Sequence, residues 1–211
     1  MKNESSFKNN SIKVISDLKN SGFGHVRFYS PSDDGVYITP VTVDKNNEDF
    51  IETLAKWRSE NQNGFTKVFK VTVPGTHSWL KNAVQNRKDR ILFVVYDRYD
   101  IEIGHLGVSS FNFKRESCEI DNVIRGEVSR QEGVMYSASQ ALLNWIKEFI
   151  NPEYIHLRVL NDNSSALSLY HRLGFKPYRL IPLEKEDVAG YVEWVPLNKG
   201  NIDRFFIEMR L

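Results

Sequence analysis

Residues 161–175 read NDNSSALSLYHRLGF. A turn-forming polar cluster stands directly before an amphipathic run, and the run closes on Leu173-Gly174-Phe175. The seven residues ahead of it, YIHLRVL (154–160), form a short, nearly continuous apolar run that predicts a buried strand. Strand, turn and short helix therefore follow one another here, and the helix carries a single tyrosine, Tyr170, whose purpose has to be found from its surroundings.

Working outward, the run before the strand has a helical period. Met135, Ala138, Leu142, Ile146 and Phe149 share a face, and Asn151-Pro152 ends it. Three strand-like runs precede that helix: RILFVVYD (90–97), IEIGHLGVSSFNF (101–113) and CEIDNVI (118–124). Their connections RYD and KRES are short enough for hairpins, so the three are expected to be antiparallel neighbours. Earlier still, GVYITPVT (35–42) reads as a strand, and NNEDFIETLAKWRSE places Phe50, Ile51, Leu54 and Trp57 on one helical face. A second helix is expected in PGTHSWLKNAVQN, with Thr76 as its cap. After the opening stretch, KPYRLIPL and RFFIEMRL form a plausible pair of strands, separated by a polar, turn-rich segment. The order β-α-α-β-β-β-α-β-α-β-β predicts an α/β (α+β) fold with a mixed sheet and helices on both faces.

Residues 1–11 have the composition of a disordered tail, leaving 12–211 as one domain with 12–35 as an N-terminal extension. Within that extension Ile12, Val14, Ile15 and Leu18 suggest a short helix stopped by Gly22. The pair Gly22 and Gly24 is not a dinucleotide fingerprint, because Arg27 occupies the third glycine position and no strand precedes it. The chain has 211 residues, 41% of them hydrophobic, enough for one sizeable core. With 28 Lys and Arg against 27 Asp and Glu, the net charge of +1 supplies no attraction for nucleic acid or an anionic membrane. A lone cysteine, Cys118, fits a reducing compartment, and no apolar run approaches the ~20 residues of a spanning helix, so a cytoplasmic protein is expected. The five histidines never pair at ligand spacing, and no metal site is expected.

The residues at two junctions carry a resemblance. At the first, RQEGVM (130–135) lies between the strand 118–124 and the long helix. At the second, Asn163, Ala166, Tyr170, Gly174 and Phe175 recur at fixed spacing. Both patterns, and the order of elements, resemble the GNAT superfamily of acyl-CoA-dependent N-acyltransferases over roughly Val36 to Leu211, most specifically from Glu119 to Phe175. The family pattern at the first junction is Arg or Gln, two residues, Gly, one residue, then Gly or Ala. Arg130 and Gly133 match, and Met135 departs from the small last residue. Backbone N–H groups at a helix N-terminus bind a pyrophosphate, and glycine lets the phosphates approach; Met135 either narrows that approach or turns into the core.

The resemblance implies a mostly antiparallel sheet whose central parallel strands, CEIDNVI and HLRVL, splay apart. It implies acetyl-CoA as acyl donor, held by Arg130, Gln131, Glu132, Gly133, Val134 and Met135 at the loop. Val123 and Ile124 are then the backbone partners of the pantetheine, with Asn163 and Ala166 beside it. Tyr170 would protonate the departing thiolate, which answers why one tyrosine sits on the short helix. The amine must lose a proton before it attacks. Glu119 and Asp121 share a strand face, and on the cleft side either carboxylate could take that proton, Asp121 being nearer the splay; on the solvent side both are ordinary exterior charges. His105 is an alternative base or acceptor contact.

The acceptor pocket of the family is built from its least patterned segments, which here contain Trp57, Arg58, Trp79, Tyr191 and Trp194; the aromatics and the arginine are candidates for binding a nucleotide base and diphosphate, or equally are core, as the apolar stripe suggests for Trp57. The combination KWRSE, THSWL, RILFVVYD, IGHLGV and EIDNVIRGE is similar to the branch that acylates nucleotide-linked amino sugars for surface glycans. It is less similar to the enzymes that acetylate ribosomal-protein N-termini. A module that senses acyl-CoA without turnover is the reading from another class. The partner expected is a small-molecule amine, with no nucleic acid or membrane and with a homodimer possible.

Overall fold

Runs rich in Val, Ile, Leu and Phe build the centre of the structure, a computed structural model that describes residues 4–45 and 47–211. The chain runs α1 (Glu4–Lys19), β1 (Phe28–Tyr29), β2 (Tyr37–Pro40), α2 (Glu48–Glu60), β3 (Lys67–Phe69), α3 (Val73–Trp79), β4 (Ile91–Tyr96), β5 (Glu102–Asn112), β6 (Ser117–Arg125), α4 (Val134–Trp145), β7 (Tyr154–Leu160), α5 (Ser164–Arg172), β8 (Lys176–Val188), β9 (Tyr191–Pro196) and β10 (Arg204–Arg210). Both α3 and α4 continue as π-helical turns, over Leu80–Gln85 and Ile146–Ile150. One ten-stranded sheet has the order β1-β2-β4-β5-β6-β7-β10-β8-β9-β3. Every pairing in it is antiparallel except β6 with β7.

Alternation along β4 separates two cores. Ile91, Phe93 and Val95 join α1, α4 and α5 on one face, and Leu92, Val94 and Tyr96 join α2 and the end of α3 on the other. The parallel pair is short. Ser117, Cys118 and Glu119 pair with Tyr154, Ile155 and His156, and beyond Glu119 the two strands part. From there β7 is held by β10 alone, through Leu160 against Phe206. This is the mixed, mostly antiparallel sheet with a splayed central pair and helices on both faces that the element order and the resemblance predict.

Three local readings change. Residues 4–11 are helical: Phe7, Ser11 and Ile15, four apart, bury one side of α1. Phe7 sits against Phe111 and Phe113 with ring centroids 6.4 and 6.3 Å away. Composition misled here because Asn and Lys occupy the outer side of a helix whose inner side needs few residues. Residues 1–3, also expected to be tail, lie outside the described residues. The cap of α3 is Thr72, which accepts from Gly75 N at 3.1 Å, and Thr76 is buried inside the first turn. Pro74 lacks an N–H and fits the helix start, so the helix begins ahead of the proline and not after it. The turn-rich 184–203 segment contains the outer half of β8 and all of β9.

The outer half of β8 and β9 form an arm. β9 pairs with β3, which belongs to the connection between α2 and α3, and Trp194 N donates to Thr66 O at 2.8 Å. The arm therefore reaches across the gap between β6 and β7 to the elements packed on β4 to β6.

If α1 is an integral part of the fold, Phe7→Ala will lower unfolding free energy by about 3 kcal/mol, the usual loss for a truncated buried phenylalanine. Urea unfolding measures it, and a midpoint equal to wild type would show that α1 is not packed as described.

Candidate active site

Where β6 leaves β7, β6 also carries an extra residue relative to β5. His105 pairs with Ile124 and Gly107 with Asp121, so three steps on β6 oppose two on β5. Asn122 takes the strain of that bulge with φ of 50°. Its carbonyl, turned out of the ladder, accepts from His105 Nδ1 at 2.7 Å. The carbonyl is acceptor-only, so the neutral imidazole carries its proton on Nδ1. His105 is fully buried, and burial pushes its pKa down to about 4. Gly104 is obligatory next to this bulge, because a Cβ there would lie 2.1 Å from Ile124 O.

A cleft of about 1380 Å3 opens at the split. It is bounded by Glu119–Arg125 of β6, the loop and first turn at 131–136, Arg158–Leu160 of β7, α5 and the β3–β9 arm. At one end stands the N-terminus of α4. Gly133 has φ of 73°, a left-handed conformation that suits glycine, and no side chain caps the helix. The first turn holds no acidic residue, and the first helical bond runs from Ser137 N to Gly133 O at 3.0 Å. The N–H groups of Val134, Met135 and Tyr136 are thus unused by the helix and border the cleft. Met135 packs against the core, so it resolves the question raised by its size by turning inward.

The remaining loop residues divide. Gln131 spends its amide on the scaffold: Nε2 donates to Asp34 O at 2.9 Å, and Oε1 accepts from Arg98 N at 3.0 Å. Arg130 is exposed and is not brought to the cleft wall, whereas Glu132 and Gly133 are. Val123 faces the cleft half-buried, and Ile124 is buried in the α2 core with its backbone on the cleft.

On the opposite wall Asn163 caps α5, its side-chain oxygen accepting from Ala166 N at 3.2 Å. That cap fixes the register that carries Tyr170 into the split, where it is 8% exposed with its ring 6.2 Å from Phe175. Burial, and then the charge of Asp121, push the Tyr170 pKa up, so the hydroxyl remains protonated and is a proton donor at neutral pH.

The two candidate carboxylates have different surroundings. Glu119 is committed on both oxygens to Arg158, at 2.8 and 3.0 Å, with His156 Nε2 at 4.0 Å. That bidentate pair makes it a strut across the end of the β6–β7 ladder. Asp121 uses only Oδ2, which takes Arg90 and the Ser109 hydroxyl, the latter at 2.7 Å. Its Oδ1 is buried with no partner among the described residues.

A second pocket of about 480 Å3 adjoins the cleft at Asn122, Phe65 and Thr66. Phe69, Trp79 and Tyr191 form its walls, and Arg58 lies over the Trp79 ring at 4.0 Å from the centroid. No carboxylate lines it among the described residues. Arg58 is largely buried, and that burial lowers its pKa to about 10. Of the residues expected to meet the acceptor, Arg58 and Trp79 border this pocket. His105 does not: it sits under Trp57, with ring centroids 6.2 Å apart, and lines neither cavity. Strand alternation could not reveal this, since the bulge that engages His105 is a backbone event.

The sequence reading named Tyr191, which lines this pocket, and missed Arg90, Asn122, Phe65 and Phe69. It also missed Arg172, whose guanidinium lies 3.9 Å from the Tyr136 ring centroid at the cleft rim. Only Arg172 had a local signal, two residues after Tyr170 on a helix already assigned to the site.

Two outcomes follow from this geometry. Gly133→Val forces a branched residue to a positive φ, costing about 1–2 kcal/mol, and its methyls crowd the free N–H groups. Calorimetry will show weakened binding of coenzyme A; equal affinity would remove the helix terminus from the site. Tyr170→Phe will lower kcat by ~10²-fold while coenzyme A affinity is kept. An unchanged kcat in stopped thiol-release assays would assign proton donation elsewhere.

Comparison with known proteins agrees with this arrangement. Residues 38–176 match the family model described as an acetyltransferase (GNAT) domain. No curated protein matches the chain in sequence. Among solved structures, spermidine N-acetyltransferase from Vibrio cholerae, in complex with CoA and spermine, superposes with a TM-score of 0.62 at 16% identity, over 85% of this chain and 96% of that one. FdhC, a nucleotide-linked sugar GNAT, gives 0.59 at 17% over 88% and 89%. A ribosomal L7/L12 alpha-N-protein acetyltransferase gives 0.62 at 11% over 89% and 95%. These identities speak for the fold alone, but the family match extends from β2 to the first residue of β8 and takes in both motif junctions, and on that ground the chain belongs to the GNAT family of acetyl-CoA-dependent N-acyltransferases.

Proposed function

We propose that this N-acyltransferase acetylates the amino group of a nucleotide-linked amino sugar. Acetyl-CoA fits the cleft on two counts: the uncapped α4 N-terminus suits its pyrophosphate, and the edge of β6 released beyond Glu119 suits its amide-bearing arm. The donor supplies an activated acetyl group on sulfur. Tyr170 holds the proton that the sulfur needs on departure, and Asp121 keeps one oxygen free beside it.

The observation that carries the acceptor assignment is Arg58. A guanidinium largely withdrawn from water, stacked on Trp79 and without a carboxylate in its pocket, is complementary to an anion next to a planar ring. Lys67 lines the same wall, held over the Tyr191 ring at 3.8 Å and paired with Glu193 at 3.5 Å outside the pocket lining. A nucleotide diphosphate offers both the charge and the ring. A polyamine would bring positive charge to a pocket that holds the Arg58 guanidinium and whose lining includes no acid among the described residues, so the polyamine named in one structural neighbour is a poor fit here.

Remote binding energy from the nucleotide then helps align the amine, so kcat/KM should exceed that for the free amino sugar. The test compares acetyl transfer to a uridine-diphosphate-linked amino sugar, the free sugar, spermidine and a ribosomal-protein N-terminal peptide. Arg58→Ala should cut kcat/KM for the nucleotide sugar by about 10- to 100-fold, the loss of a charged hydrogen bond, and leave the free sugar unaffected. Faster transfer to spermidine or to the peptide would overturn the assignment.

A further inference from the structure

Trp194, on β9, belongs neither to the helix terminus that suits the pyrophosphate nor to the Arg58 pocket. Its backbone N–H donates to Thr66 O at 2.8 Å, and Thr66 borders both the cleft and the pocket. Alternation along β9 puts Tyr191 and Trp194, three residues apart, on opposite sides of the arm: the tyrosine lines the pocket and the tryptophan lines the cleft. The indole is half-buried and held in place by Arg204, whose guanidinium lies 4.7 Å from its ring centroid. That guanidinium is itself fixed, with Nη2 2.6 and 2.7 Å from the Asp162 oxygens. A positioned aromatic surface therefore stands on the cleft wall next to the place where the pocket adjoins it.

Charge separates what the two sides of the arm can take. Arg158 and Arg204, the guanidinium groups on the cleft side, both have counter-ions: Arg158 is bidentate on Glu119 at 2.8 and 3.0 Å, and Arg204 is paired with Asp162. Together with Phe206, which also lines the cleft, they make this wall aromatic and close to neutral. On the pocket side Arg58 has no carboxylate in the lining among the described residues. An anion gains most beside an uncompensated cation, whereas a neutral ligand with an apolar face gains most on an aromatic ring. A hexose has such a face, made of the C–H bonds on one side of its ring, and carries hydroxyls around its rim. Asn61 and Asn63 border the same cleft, and their side-chain amides can both donate to and accept from hydroxyls.

We propose, on the amino-sugar assignment, that Trp194 is the platform against which the sugar ring of the acceptor stacks while its diphosphate occupies the Arg58 pocket. One ligand then spans the junction at Thr66, with its charge beside the uncompensated cation and its neutral ring against the indole. Stacking holds the plane of the sugar and leaves the substituents at its edge, the amino group among them, able to turn toward the thioester. Trp194 is thereby a specificity residue for a ring, because an extended polyamine or a peptide N-terminus offers no comparable C–H face.

Trp194→Leu removes the ring and keeps apolar bulk, whereas Trp194→Phe keeps a ring. Kinetics are measured with the uridine-diphosphate-linked amino sugar and with the free amino sugar, and saturation-transfer NMR of the free sugar reads its C–H contacts without turnover. Trp194→Leu should raise KM about 10-fold for both sugars, with kcat held within about 3-fold and KM for acetyl-CoA unchanged; Trp194→Phe should restore most of the loss. Arg58→Ala, in contrast, should affect the nucleotide-linked sugar alone. In the wild type, irradiating aromatic protons should transfer saturation to the sugar ring protons, and the leucine variant should lose that transfer. Sugar kinetics indifferent to Trp194→Leu, a loss confined to kcat, a raised KM for acetyl-CoA, or no saturation transfer in the wild type would overturn the platform, the last whether or not the variant folds. Transfer that depends on Trp194 while spermidine is acetylated faster would sink the acceptor assignment and leave the platform standing.

Discussion

One inserted residue on β6 sets the geometry on which everything else depends. Asn122 steps out of register with β5, adopts a left-handed conformation and turns a carbonyl that a regular ladder would have used. A non-glycine residue held there stores roughly 1–2 kcal/mol of strain. The hydrogen bond from His105 compensates, and the close approach of Ile124 O to Gly104 shows how tightly the two strands are drawn together at that point. With β6 redirected, its pairing to β7 ends at Glu119, and a cleft opens in the middle of a continuous sheet. A sheet face that would otherwise be filled by side chains becomes a passage.

The charges are arranged around that opening. On the α1, α4 and α5 side the sheet is apolar from β4 to β10. On the other side it is apolar only as far as β6, where α2 and the end of α3 cover it. Past the split the same face carries Glu119 with Arg158, and Glu208 with Arg179 at 2.6 Å and Arg210 at 2.9 Å. These pairs satisfy carboxylates that are buried, where removing one partner would be far more costly than the pair is stabilising. Asp121 is the member of the series placed at the split itself, and it alone keeps an oxygen in reserve.

Much of this was legible in the sequence because it is periodic. The strands 90–97, 101–113, 118–124 and 154–160, the helix after Gly133 and the motif from Asn163 to Phe175 all follow from alternation, helical spacing and punctuation. What escaped was set by tertiary partners. The helicity of residues 4–11 depends on Phe7 finding Phe111 and Phe113, and β3 and β9 are strands only because each supplies the other's hydrogen bonds. The bulge left no compositional mark, so His105 read as a potential base or acceptor contact when its first duty is to Asn122. The site divides accordingly: residues within the motifs and the aromatic candidates Trp79 and Tyr191 could be named, and those such as Arg90 or Phe69, brought in by tertiary packing, could not.

The arm formed by β8 and β9 gives the split a second wall and stands where two cavities adjoin. Arg204 reinforces it, with Nη2 2.6 and 2.7 Å from the Asp162 oxygens and its guanidinium 4.7 Å from the Trp194 ring centroid, so the β7–α5 turn, β9 and β10 are fastened together. The donor cleft and the aromatic pocket share Asn122, Phe65 and Thr66. Under the proposed function an amine entering through the pocket and a thioester entering through the cleft would meet at the bulge, beside Asp121 and within the electrostatic reach of Tyr170. Orienting two reactants at a fixed point can supply ~7–11 kcal/mol of a bimolecular barrier, which is more than any single proton transfer contributes. The strained residue that opens the sheet is thus also one that lines both cavities, and Asp121, the neighbour its register places beside it, is the residue whose charge reaches Tyr170.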